Sequence, residues 1–329
     1  MKQSSFYLGL VLMMVCVMLS GCDTSGWIKY MGNPVLAPGG QGSWGETDVE
    51  RPSVIHDNGT YKMWYAGEKD DVFAIGHATS SDGIDWVKDV SNPVLEAGQA
   101  GSWDSVCING PAVIKEGDTY KMWYMGFSEP DDLGGSIGYA TSTDGISWTK
   151  YEENPVLEAG DQGAWDVGGV RQPTVIKDGD TYEMWYGGVM EGGDDSYAVG
   201  YATSTDGINW TKDSSNPVFE SLATGWDNES VEDPSVIKDD GTYRMWYFGI
   251  GAFAEGFGYA TSTDGINWTQ QGSTPVLTMG AFGAWDSNEI FNPHVIKDGT
   301  TLKMWYSGEG GADEIDSIGY ATLEEDVDS

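Results

Sequence analysis

Five segments of this chain share the frame Trp-Asp-x-x-x-Val/Ile-x-x-Pro-x-Val-Ile, with Gly45 in place of the aspartate in the first. They disagree at the two positions before the proline. Those positions carry Glu50-Arg51, Asn109-Gly110, Arg171-Gln172, Glu232-Asp233 and Phe291-Asn292. Variable neighbours add Glu46, Asp48, Cys107, Glu229, Glu289 and His294. Carboxylates and guanidinium groups gathered in one place perturb each other's proton affinity, which suits them to move protons or grip a polar ligand. Rare residues concentrate here as well. Arg51 and Arg171 are two of three arginines, and His294 is one of three histidines. The plain alternative is a solvated charged rim with no ligand. No histidine at a matching spacing makes Cys107 a thiol nucleophile, so it reads as a small buried residue.

The elements that must position these residues follow from the tryptophans. All 15 fall into three columns of five, repeated about every sixty residues. One column stands eight residues before each proline (Trp44, Trp103, Trp165, Trp226, Trp285), and one sits in Met-Trp-Tyr triplets (Trp64 to Trp305). The third precedes Asn/Thr-Pro-Val-Leu/Phe segments (Trp27 to Trp268). Such a period means one supersecondary unit repeated five times. In the third unit, strands are predicted at 171–176, 181–186, 198–203 and 208–211, separated by turn signals such as Asp178-Gly179 and Asp206-Gly207. Four antiparallel strands per unit make a propeller blade. The expected fold is an all-β, five-bladed propeller. The fifth unit lacks its last strand, and Gly26-Trp27-Ile28-Lys29-Tyr30 matches the missing piece, so the N-terminal strand should close the last blade. The tryptophans are then mostly scaffold, with only the column before the prolines placed to reach a ligand. In propellers the first strand of each blade lines the central channel, so the five variable pairs should ring its mouth.

The chain has 329 residues and a formal net charge of −36, from 16 Lys+Arg against 52 Asp+Glu. That surface repels nucleic acid and anionic headgroups, and no nucleic-acid partner is expected. Residues 1–21 read as a signal peptide, with Lys2, an apolar run from Phe6 to Leu19, and Leu-Ser-Gly ending at Cys22. This resembles the bacterial lipobox, which implies lipidation of Cys22 and a membrane-anchored place in the cell envelope, periplasmic or surface-exposed. Residues 22–329 are expected to form one propeller domain and to act as a monomer. Asp131-Asp132 and Asp194-Asp195 in Gly-rich loops are candidate calcium ligands, but solvated loop acids are the expectation.

Asn33-Pro34-Val35-Leu36, Asp233-Pro234-Ser235-Val236 and the Met-Trp-Tyr-x-Gly strands resemble the five-bladed propeller glycoside hydrolases, the arabinanase/β-xylosidase family 43 with its relatives 32 and 130. The resemblance covers nearly the whole mature chain. It implies a base aspartate directly before a proline, which Asp233 matches, and an acid glutamate two before one, which Glu50 and Glu232 both match. A tuning aspartate is implied in the blade between; Asn292 stands there, and the blade order is rotated relative to the family. Arg51, Arg171, Gln172, Asn292, His294, Asp48 and Asn109, from the variable ring, are the candidate substrate-binding set. Glu232-Asp233-Pro234 also resembles the Glu-Asp-Pro motif of the phosphorylase family, where arginines and a histidine hold phosphate. The expectation is a carbohydrate-active protein that hydrolyses O-glycosidic bonds with two carboxylates and needs no cofactor, though a calcium ion in the channel or loops is compatible with it. A non-catalytic glycan-binding propeller and a phosphate-dependent phosphorylase are the alternatives.

Overall fold

A computed structural model describes residues 26–128, 135–190, 197–311 and 314–325. Every regular element among them is a strand, and the strands form five four-stranded antiparallel sheets. Each inner strand packs beside the next, and that of blade five packs beside that of blade one, so the sheets close into a five-bladed ring. The inner strands are Val49–Asp57, Cys107–Glu116, Gly169–Asp178, Ser230–Asp239 and Glu289–Asp298.

The chain ends close the ring as the sequence predicts. Ile28–Lys29 is the outer strand of blade five, with Ile28 opposite Thr322 and Lys29 opposite Ala321. Outer strands are shorter than the sequence suggests. In blade three only Thr211–Lys212 pairs, because the Asp206 carboxylate caps the amides of Ile208 and Asn209 and holds that stretch as a turn.

The core lies between blades rather than within them. One apolar cluster joins Val49, Tyr61, Met63 and Tyr65 of blade one to Trp305, Ile318 and Tyr320 of blade five, and four similar clusters complete the ring. The Met-Trp-Tyr tryptophans are fully buried there. Trp64, Trp123, Trp185 and Trp305 each donate an indole N–H, at 2.8 Å, to the carbonyl of the Asp-Gly turn glycine of the following blade. The tryptophans before the prolines sit on glycines. A Cβ on Gly188 would meet the Trp165 ring at 2.2 and 2.4 Å, and one on Gly76 would meet Trp44 at 2.4 Å. This explains the glycine of Met-Trp-Tyr-x-Gly: it is the seat for an indole.

Ion pairs link neighbouring blades at the far ends of the inner strands. Asp57 accepts from Lys115 and Tyr120 of blade two, and Asp239 accepts from Lys297 of blade five. Inner strands start at the mouth of the channel and run away from it. Strands alternate in direction, so outer strands start on the face opposite the mouth.

Candidate active site

Side chains alternate across a strand, so two consecutive residues should not face the same space. The prolines change this. In every blade the inner strand bulges at the proline: Glu50 pairs with Ala66, yet Ser53 pairs with Trp64, leaving Arg51 and Pro52 opposite Tyr65 alone. The same shift follows Asn109, Arg171, Glu232 and Phe291. The residue before each proline takes a left-handed backbone, with φ of 54° at Arg51, 54° at Gly110, 45° at Gln172, 54° at Asp233 and 47° at Asn292. Four of the five are not glycine, and each such conformation costs on the order of 1–3 kcal/mol. The result is that both members of Glu50-Arg51, Arg171-Gln172 and Glu232-Asp233 line one cleft. That cleft holds about 180 Å³ at the mouth of the channel. Beneath it the channel passes a ring of the five prolines.

Asp233 is buried. Its Oδ2 accepts the Asn292 N–H at 2.9 Å, while its Oδ1 has no partner among the described residues. Burial pushes its proton affinity up, against the pull of Arg51 and Arg171. Glu232 is raised too, first by burial and then by the Asp233 charge. Arg171 donates from Nε to Gln172 Oε1 at 2.8 Å, places Nη2 3.6 Å from Glu232 and lies over the Tyr197 ring. Across the mouth, Arg51 donates from Nε to Glu50 Oε1 at 2.8 Å, and Ser307 Oγ accepts the Arg51 N–H.

Other predicted residues are placed differently. Asp48 accepts the Asp316 N–H at 2.8 Å and is not part of the cleft lining. Asn109 is buried in blade two, outside that lining. Asn292 and His294 line the channel beneath the mouth. His294 Nε2 lies 2.9 Å from the Val54 carbonyl, and burial lowers its pKa to about 4, so the ring is neutral. Cys107 is pushed up to about 11 by burial, which leaves an unreactive thiol. Among the described residues no group of three or more His, Cys, Asp or Glu is arranged to hold a metal. Asp131-Asp132, Asp194-Asp195, Cys22 and the predicted signal peptide lie outside the described residues.

The cleft also contains acids that the paired-position reading passed over. Glu309 and Asp316 enter it from the second and third strands of blade five, beside Glu289. Burial, with the charges of Asp233, Glu309 and Glu255, raises Glu289 to about 7. A signal existed. The column of Glu309 reads Glu68, Phe127, Val189 and Ile250 in the other units, so it varies as sharply as the pairs.

The model of the glycosyl hydrolases family 32 N-terminal domain matches residues 47–199. An uncharacterized protein of Mycobacterium tuberculosis is 32% identical over 226 residues, covering 67% of this chain and 73% of that protein. A 1,2-beta-oligomannan phosphorylase of Thermoanaerobacter sp. is 30% identical over 135 residues, covering 39% of this chain and 45% of that one. Among solved structures, a glycosyl hydrolase from Bacteroides ovatus superposes with a TM-score of 0.71 at 18% identity, covering 91% of this chain and 93% of that one.

Proposed function

Because the chain belongs to the five-bladed propeller glycoside hydrolase superfamily, we propose that it hydrolyses O-glycosidic bonds of an oligo- or polysaccharide in the mouth cleft. The observation that carries this reading is the convergence of Asp233, Glu232 and Glu50 on one cleft through the proline bulges. Glycoside cleavage needs a proton for the leaving oxygen and a base for water on the opposite face of the sugar; in an inverting enzyme the two carboxyls stand roughly 6.5–9.5 Å apart. Asp233 suits the base. One oxygen is oriented by the Asn292 N–H, and the other is buried with no partner among the described residues, on a side chain that lines the cleft. Glu50 enters from the wall of blade one, two steps around the ring, and is the better placed acid. Glu232 is the neighbour of Asp233 and shares its wall, so it acts on Asp233 rather than across the sugar.

Two observations favour hydrolysis over phosphorolysis. Arg51 Nε and the Arg171 guanidinium are already engaged by Glu50, Gln172 and Glu232, which leaves Arg51 Nη1 buried without a partner among the described residues. His294 is neutral and sits against the Val54 carbonyl. A phosphate dianion would meet the carboxyls of Glu232, Asp233 and Glu289 instead of an unopposed cationic site. A neutral sugar meets no such repulsion.

Turnover of a panel of aryl glycosides and oligosaccharides tests this. Asp233→Asn and Glu50→Gln should each lower kcat by about 10²–10⁴-fold with folding retained, and added phosphate should leave the wild-type rate unchanged. Glycan binding with equal, absent turnover in all three proteins would identify a non-catalytic binder. Anchorage through Cys22 in the cell envelope belongs to the same proposal, supported by the lipobox-like sequence; labelled palmitate should enter the wild type and not Cys22→Ala.

A further inference from the structure

Asp316 is a cleft acid with no ion-pair partner among the described residues. It is the second residue of the third strand of blade five, opposite Glu309, in a strand that packs against the blade-one inner strand. Its backbone is fixed, because Asp48 Oδ1 accepts its N–H at 2.8 Å. Its carboxyl lines the same cleft as that of Glu50 and lies within reach of it, and its Oδ1 is buried with no partner among the described residues. Two carboxyls in contact cannot both be ionised without strong repulsion, so such a pair keeps one proton. The groups facing them are known. Arg51 donates from Nε to Glu50 Oε1, while Asp48, Glu309 and Asp233 add negative charge. Glu68 and Asp48 press on each other just behind. No ion pair engages Asp316 among the described residues, and burial and like charge outweigh the more distant pull of Arg51; both raise its proton affinity.

We propose that Glu50 and Asp316 form a carboxyl–carboxylate pair that shares one proton, with Asp316 as its usual carrier, and that this pair is the acid of the cleft. This rests on the hydrolase reading above for its catalytic half only. In that step the glycosidic C–O bond breaks, and the shared proton passes to the leaving oxygen. The water oxygen bonds to the anomeric carbon, and its proton goes to Asp233. Solvent returns each group to its starting state after product release. Asp316 thus supplies, from the third strand, a carboxyl in the blade whose inner strand offers Asn292.

Two measurements test the pair. The first needs no substrate: thermal unfolding of wild type and Asp316→Asn from pH 5 to pH 9. A carboxyl raised in the fold stabilises least above its folded pKa, so the wild type should lose melting temperature as pH rises, and Asp316→Asn should lose clearly less. Equal pH slopes overturn the shared proton. The second is the pH–rate profile. Asp316→Asn should lower kcat at least tenfold with KM within about twofold and move the basic limb down by about one pH unit; Asp316→Glu should restore most of the rate. Glu50→Gln combined with Asp316→Asn should be little worse than either alone. An unchanged basic limb, or multiplicative losses, overturns the catalytic role. If the unfolding slopes differ and the wild type turns over nothing, the pair stands and the hydrolase reading falls.

Discussion

Each side chain at the mouth is shaped by what its neighbours do to its charge. Glu289 shows this most simply. It is raised to about 7 in the fold by burial and by Asp233, Glu309 and Glu255, above its value in an unfolded chain. Its contribution to stability is therefore fully present below about pH 4 and lost as pH climbs through 7. Glu289→Gln should flatten the fall in melting temperature between pH 5 and pH 8.5, measured by calorimetry at constant ionic strength. The sequence revealed Glu50, Arg51, Arg171, Gln172, Glu232 and Asp233 because they break a repeated frame, and the structure brings those six to one cleft. Glu309 is marked by its variable column, but nothing in the sequence places it or Asp316 at the mouth, which second- and third-strand residues reach only through ring geometry. The rarity of His294 alone suggests a place beside those six. Rarity carries no direction, and the histidine lies beneath the mouth against a backbone carbonyl.

At the scale of the strand, the repeat is legible because its large residues serve as joints. An indole donates to the next blade, and another rests on a pair of glycines. Gly188→Ala would drive a methyl group into the Trp165 ring and should cost about 1–3 kcal/mol. Gly40→Ala, with open space around it, should change stability by less than about 0.5 kcal/mol. Urea unfolding of the two variants provides the comparison. Strand periodicity located the inner three strands of each blade but lengthened the fourth. Ile208-Asn209-Trp210 has the composition of a strand, and the Asp206 carboxylate outcompetes ladder pairing for its amides. The bulges were not legible either. A proline inside a strand signals irregularity, but not that two adjacent side chains will share one face.

The whole molecule depends on one short pairing between its ends. Removing residues 26–32 leaves blade five with an open edge and strips Trp27 from the cluster that it shares with Trp246 and Leu302. The melting temperature of that deletion should fall by at least ten degrees; an unchanged value would mean that the ring closes without the N-terminal strand. The same pairing sets a direction. Ile28–Lys29 is an outer strand, and outer strands start on the face opposite the mouth, where Gly26 lies beside Leu323. Only four peptide steps separate Gly26 from Cys22, a reach of at most about 14 Å. A lipid on Cys22 would therefore hold the underside of the ring against the bilayer and point the carboxyl cleft outward, like a cup fixed by its base. Long polymers could then approach end-on without threading between protein and membrane. If Cys22 carries a lipid and the cleft hydrolyses glycans, moving the anchor to a mouth-side loop should spare small glycosides as substrates and exclude polymeric ones.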